Sequence, residues 1–254
     1  MFANERRMKI MELLEQKTSV TVSELMKRFG VSIETVRRDL EYLESQQALK
    51  RVHGGAVSNQ KMKRFASLES RMSENRELKR QLAGIAIRYI REDDTIALDT
   101  GSTAMELAPL LKEHFRRLTV VTNSPEVFGA LTDAEGFELI QIGGQYLRGE
   151  KAFYGHMALD AVNRLHVAKA FVFPSAVSLR HGVGVFVHEL FDIQRAYIHN
   201  ADEVFILADS SKFEIAATVK LCDVSPSHTI ITDRELPEPI YSLYKKNAIP
   251  IVKE

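Results

Sequence analysis

Three groups of residues in this chain of 254 have the types and spacing to do chemistry. In the first, Asp99, Thr100, Gly101, Ser102 and Thr103 stand between a strand-like run and a helix-like one. That arrangement makes an anion cradle. Gly101 admits a close backbone approach, and the first amides of the helix, with the hydroxyls of Ser102 and Thr103, point at a phosphate or carboxylate. Asn123 and Ser124 follow a second strand-like run, and Asp209, Ser210, Ser211 and Lys212 follow a third. Lys212 is the stronger anchor, because a hydrogen bond to a charged group is worth about 1.5–3 kcal/mol against about 0.3–1 for an exposed helix N-terminus. The cradle lacks the Gly-Lys of a Walker A loop and the extra glycines of a dinucleotide fingerprint, so no nucleotide and no other cofactor is expected. The second group is Ser32, Thr35, Arg37 and Arg38; the third is Lys50, Arg51 and His53. Paired arginines near a helix N-terminus can bond guanine edges or phosphates, and the third group can touch phosphates or the edge of a minor groove.

These groups need elements to hold them. Residues 6–16 place Ile10, Leu13 and Leu14 on one helical stripe. Thr21 and Glu24 have capping-box spacing, Val20 and Leu25 the spacing of a hydrophobic staple, and Gly30 suits a left-handed helix stop. Only Val31 separates Gly30 from Ser32, an N-cap for a third helix with Ile33, Val36, Leu40 and Leu43 on its apolar face. Two helices across so tight a turn, the second carrying Thr35, Arg37 and Arg38 off that face, describe a helix-turn-helix. The run from Leu49 to Val57 reads as a hairpin turning at Gly54 and Gly55, which makes it a wing.

Residues 59–68 read as a basic linker with Lys61, Lys63 and Arg64, so the expected division is a winged helix-turn-helix at 1–58 and an effector-sensing, oligomerising domain at 69–254. A helix over residues 68–90 buries Leu82, Ile85, Ala86 and Tyr89. Strands are expected at residues 95–98, 118–122, 137–142, 168–173, 203–208, 229–232 and 248–252, with helices in most gaps. The fold class is therefore α/β: a small winged helix-turn-helix and a larger domain whose mostly parallel sheet binds ligands outside its carboxyl ends.

Composition agrees. The chain is 45% hydrophobic and 27% charged, enough for a core and a solvated surface. Its net charge of zero hides an asymmetry: 13 lysines and arginines against 8 acids up to Arg64, then 21 against 26. A basic first segment fits double-stranded DNA. The single cysteine, Cys222, the charged start and the absence of a long apolar run point to the cytoplasm and to no membrane. Asp192 stands where a second histidine would be needed after His188 and Glu189, so no metal is expected.

The Thr-Val-Arg-Arg-Asp-Leu run from Thr35 to Leu40, followed by His53, Gly54, Gly55 and Ala56, resembles the DeoR-family signature, with Gln47 where the family has glycine. The loops above, with Gly143, Gly144, Gly155 and the segment from Lys169 to Phe171, look like the DeoR-type sensor domain, whose fold is similar to ribose-phosphate isomerases and glucosamine-phosphate deaminases. The resemblance implies a repressor of carbohydrate-metabolism genes. It also implies a sugar-phosphate effector held at Asp99, Gly101, Ser102, Thr103 and Lys212, with Asn123 and Ser124 lining the pocket. The usual Asp-Gly pair is replaced by Phe173 to Val177, and a basic position by Gln194. Two alternatives remain at this point. One is a sugar-phosphate isomerase or deaminase, against which Ser175 and Ala176 stand where an acidic pair is expected. The other is a DNA-binding scaffold whose second domain only oligomerises. A palindromic or repeated operator calls for at least a homodimer, or a homotetramer.

Overall fold

A computed structural model describes residues 3–17, 19–46, 48–52, 54–58 and 67–253. The chain forms two compact units, Met1–Phe65 and Ala66–Glu254.

In the first unit, helix α1 (Ala3–Lys17) leads through strand β1 (Ser19–Thr21) to α2 (Val22–Phe29), α3 (Ile33–Ser45) and strands β2 (Leu49–Val52) and β3 (Gly55–Ser58). The caps act as their chemistry dictates. Thr21 accepts the Glu24 amide at 3.1 Å, Ser32 accepts the Thr35 amide at 3.3 Å, and Gly30 ends α2 at φ 63°. Strand β1 was not expected; three residues give too short an alternation to read. It completes an antiparallel sheet in the order β1-β3-β2. Ile10, Leu14, Leu25, Val36, Leu40 and Leu49 form the core, and full burial of such side chains stabilises by about 1.5–3 kcal/mol each. Asp39 faces α1 and is buried, taking hydrogen bonds from Arg6 Nε at 2.5 Å and Arg7 Nε at 2.9 Å.

The expected long helix at the start of the second unit is two helices, α4 (Leu68–Ser73) and α5 (Arg76–Ala86), with a 3-10 turn after the second. Asn75 breaks them apart by adopting φ 49°, ψ 35°. No glycine or proline marks the break in the sequence. A parallel seven-stranded sheet follows: β4 (Thr95–Leu98), β5 (Leu118–Thr122), β6 (Phe137–Gln141), β9 (Val167–Val172), β12 (Ala201–Leu207), β14 (His228–Ile231) and β15 (Ile251–Val252). The last strand is shorter than expected. Numbers β7 (Gln145–Leu147) and β8 (Ala152–Tyr154) belong to a hairpin, and β10 (Ala176–Ser178), β11 (Gly182–Val185) and β13 (Val219–Cys222) to a small antiparallel sheet; neither was expected.

Helices α6 (Ser102–His114), α7 (Pro125–Leu131), α8 (His156–Val162), α9 (Phe191–His199) and α10 (Glu238–Lys246) complete the unit. Alternate strand residues feed two cores, as a sheet covered on both faces requires. Ile96, Leu98, Val120, Phe171 and Phe205 pack with Leu82, Ala104, Leu107 and Val127, while Ala97, Val121, Ala170 and Val204 pack with Ala158, Ile193 and Tyr244. The sheet order is β15-β14-β12-β9-β4-β5-β6. The chain therefore reverses its direction of travel across the sheet between β4 and β9, and a ligand crevice opens beyond the carboxyl ends of strands at such a point.

Candidate functional site

The reversal brings together segments far apart in sequence. The loop from Asp99 to Thr103 leaves β4, Asn123 and Ser124 leave β5, Phe173 and Pro174 leave β9, and Ala208 to Lys212 leave β12, four adjacent strands. No side chain caps the first turn of α6, and a Cβ added to Gly101 would lie 3.2 Å from the Phe173 side chain. Ser102 and Thr103 are buried in that first turn. Lys212 donates from Nζ to Pro174 O at 2.9 Å and lies 3.9 Å from Asp209; burial pushes its ammonium below the ordinary range. A poorly hydrated ammonium held by one carbonyl and a loosely placed carboxylate has donor capacity left for an anion, which would compete with Asp209 for it.

Asp99 has a different character from its loop. It is fully buried, and its carboxylate accepts Gln194 Nε2 at 2.7 Å and the Thr100 amide at 2.8 Å. With an amide as side-chain partner, burial pushes its carboxyl up to about 7. The folded group holds its proton to that pH and the unfolded one only to 3.8, so the stability it lends is complete below 3.8 and is lost as pH rises through 7. We expect the second unit to melt at a lower temperature at about pH 8 than at about pH 6, and Asp99→Asn to flatten that dependence. Burial pushes Glu150 in the same direction, so the difference between parent and variant is the quantity to read by scanning calorimetry. Equal slopes in the two proteins would refute the assignment to Asp99.

Asn123 and Ser124 divide their roles. Ser124 Oγ accepts the Val127 amide at 3.3 Å and so caps α7. Asn123 Nδ2 donates to Phe153 O at 3.0 Å, and its buried Oδ1 has no hydrogen-bond partner among the described residues. Among the described residues, six buried side-chain polar atoms lack a hydrogen-bond partner, on Gln81, Asn123, Gln141, Gln194, Tyr197 and Thr232. Three of them surround Asp99: Gln194 bonds it, and Tyr197 stands against both it and Asn123, whereas Gln141 ends β6 and Thr232 follows β14, five strand positions apart in the sheet. Buried polar groups in native proteins are almost always satisfied, so the three orphans around Asp99 make this the candidate place for a polar guest. Gln194 and Tyr197, beside Asp99, are neighbours of the candidate site that the sequence did not assign. Only Gln194 carried a signal, as a departure from a basic position. Lys169, by contrast, pairs with Asp94 at 2.6 Å near the amino ends of the strands, and is structural.

In the first unit, Arg37 and Arg38 are exposed on α3, and neither forms an ion pair with another described residue. Ser32 and Thr35 stand at its N-terminus with their hydroxyls 3.1 Å apart. Arg51 is exposed, its guanidinium 3.7 Å from Glu41 and 3.9 Å from Glu44, pairs weak enough for a phosphate to displace. The Lys50 side chain and all of His53 and Gln47 lie outside the described residues. Free arginines on one face of a helix, with its other face packed, are what a polyanion reader presents.

Comparison with known proteins agrees with both halves. A family model described as a DeoR-like helix-turn-helix domain matches residues 6–62, and one described as the DeoR C terminal sensor domain matches residues 74–234. The chain is 31% identical to an Escherichia coli O157:H7 protein named as an aga operon transcriptional repressor, over 98% of this chain and 93% of that one. It is 31% identical to the L-fucose operon activator of Haemophilus influenzae, over 98% of this chain and 99% of the relative. A ribose 5-phosphate isomerase A from Neisseria gonorrhoeae superposes with a TM-score of 0.40 at 16% identity, over 55% of this chain and 54% of that one.

Proposed function

The chain belongs to the DeoR family of DNA-binding transcriptional regulators, and from that premise we propose that it is a repressor of carbohydrate-metabolism genes released or engaged by a phosphorylated sugar. The family is one of regulators, so the isomerase and deaminase alternative falls away. The unpartnered polar atoms of Asn123, Gln194 and Tyr197 around Asp99 carry the sensing part of the reading. Beside them, the first turn of α6 at Gly101, Ser102 and Thr103, with Lys212, supplies the positive end for a phosphate. Asp99 is too buried and too weakly acidic to repel that phosphate strongly, and with Asn123, Gln194 and Tyr197 it offers acceptors to sugar hydroxyls. A scaffold that only oligomerises needs no such donors and acceptors.

On the DNA side, Ser32, Thr35, Arg37 and Arg38 face the major groove, and Lys50, Arg51 and His53 touch the backbone from the wing. A homodimer or homotetramer matches a repeated operator, since two linked half-sites multiply discrimination. The test begins with a duplex selected from genomic fragments by binding to the full-length protein, followed by titration with paired phosphorylated and unphosphorylated monosaccharides. Phosphorylated members are expected to shift duplex affinity and their unphosphorylated partners are not. Lys212→Ala should move the midpoint of that response about tenfold to a hundredfold higher, the size of one charge-assisted hydrogen bond, with duplex affinity unchanged. A response indifferent to phosphorylation, or to Lys212, refutes the anchor.

A further inference from the structure

Helix α4 is six residues long, too short to hold its shape without tertiary contacts. In sequence it is the first element after residues 59–66, which lead from the DNA-reading unit. It is linked to the two anion loops through intermediaries: to the first through Gly149 and Glu150, and to the second through Asn75, just beyond its C-terminus. At one end, the Leu68 amide donates to Gly149 O at 2.9 Å and Arg71 pairs with Glu150; the Glu150 main-chain oxygen accepts from Thr100 Oγ1 at 3.1 Å, inside the cradle loop. At the other end, Lys79 reaches back from α5 and donates to Arg71 O at 2.5 Å and to Glu74 O. Between them, Asn75 donates from Nδ2 to Ser211 Oγ at 3.3 Å and to Asp209 Oδ1 at 3.5 Å, beside Lys212.

Resting on the sensing role proposed above, we infer that Asn75 and Lys79 are positioning residues that pass occupancy of the crevice to α4, and so to the chain leading to the DNA-reading unit. The charges give the direction. Arg71, Lys79 and Lys212 repel one another around Asp209, Glu74 and Glu150, and burial together with Lys212 pushes the Lys79 ammonium down to about 8. A phosphate beside Lys212 draws that ammonium away from Asp209 and Pro174 O. The released Asp209 carboxylate then accepts more firmly from Asn75, and its charge holds the proton on Lys79, whose grip on the Arg71 and Glu74 carbonyls tightens. Anion binding therefore firms the junction of α4 and α5, and by reciprocity a firm junction favours the anion.

Hydrogen exchange of the full-length protein with and without inorganic phosphate tests this. In the parent, peptides covering residues 100–105 and 209–213 should slow, and residues 69–76 should slow with them by about fivefold or more. Asn75→Gly keeps the left-handed backbone and deletes the amide link; Lys79→Met deletes the ammonium and keeps the stem. Both variants should keep the slowing at 100–105 and lose it at 69–76. A purely structural role would raise exchange at 69–76 without abolishing its response to phosphate, and that result overturns the inference. So does a parent in which the crevice slows and 69–76 does not. If phosphate slows neither segment of the parent, the anion site itself fails and the coupling falls with it, an outcome told apart by the crevice peptides. If Lys79→Met does not fold, the exposed Asn75→Gly decides alone.

Discussion

Replacing Asp39 with alanine should abolish DNA binding without removing any group that faces DNA. The carboxylate is buried between Arg6 and Arg7 of α1, at 2.5 and 2.9 Å, and it joins α1 to α3, the proposed recognition helix. Arg7 also stacks its guanidinium 3.7 Å from the Tyr42 ring centroid, so the same contact orders the outer surface of α3. Removing one partner of a buried pair costs about 3–5 kcal/mol, because the other charge is left without compensation. A unit below about 70–80 residues rarely has more than about 3–5 kcal/mol in total. The expected result is loss of the first unit's melting transition and rapid proteolysis within Met1–Phe65, with the transition of Ala66–Glu254 unchanged. Asp39→Asn, which keeps shape and one acceptor, should retain part of the stability. A variant with alanine at 39 that binds the duplex like the parent would show that the Asp39 bridge between α1 and α3 is dispensable.

The second large effect belongs to Arg37 and Arg38. Each base or phosphate contact by arginine is worth about 1–3 kcal/mol, so Arg37→Ala combined with Arg38→Ala should weaken operator binding by about 2–6 kcal/mol for each recognition helix. Both side chains are exposed and make no ion pair with another described residue, so the melting temperature should not move. Salt dependence separates the two roles: an arginine that held a phosphate lowers the slope of log affinity against log salt by about one when removed, whereas an arginine that read a base leaves the slope fixed and relaxes sequence preference. Anisotropy titrations at several salt concentrations, with the selected duplex and a scrambled one, give both readings. Unchanged affinity for both duplexes would place the DNA surface elsewhere.

The contrast between what the sequence reveals and what it conceals follows the range of the interactions. Thr21, Gly30 and Ser32 act on neighbours within four residues, and their cap chemistry placed α2 and α3 correctly. The central strands, long and apolar, were legible to within two residues, and their alternation with helices located the crevice. Strand β1 and the small sheet of β10, β11 and β13 have three or four residues each, too few for a period. The break at Asn75 carries no local signal because its partners, Asp209 and Ser211, are more than 130 residues away. The same holds for Arg71 with Glu150 and for Gln194 with Asp99, so the cradle was legible as a loop and its supporting shell was not. Asp39 shows the converse. It lies within the run that carries the family resemblance, beside the exposed Arg37 and Arg38, yet it works on the buried face of the helix.

Gly55 has a wider consequence. A Cβ there would stand 2.1 Å from Val20 O, so β3 and β1 meet backbone to backbone, and β1 runs directly into the α2 that precedes the recognition helix. On the proposed reading, wing and recognition helix are thus cast as a single stamp. Its face can be recut by exchanging side chains at positions such as Thr35, Arg37 or Arg51 to print a different operator, while the angle between its two raised parts stays as it is.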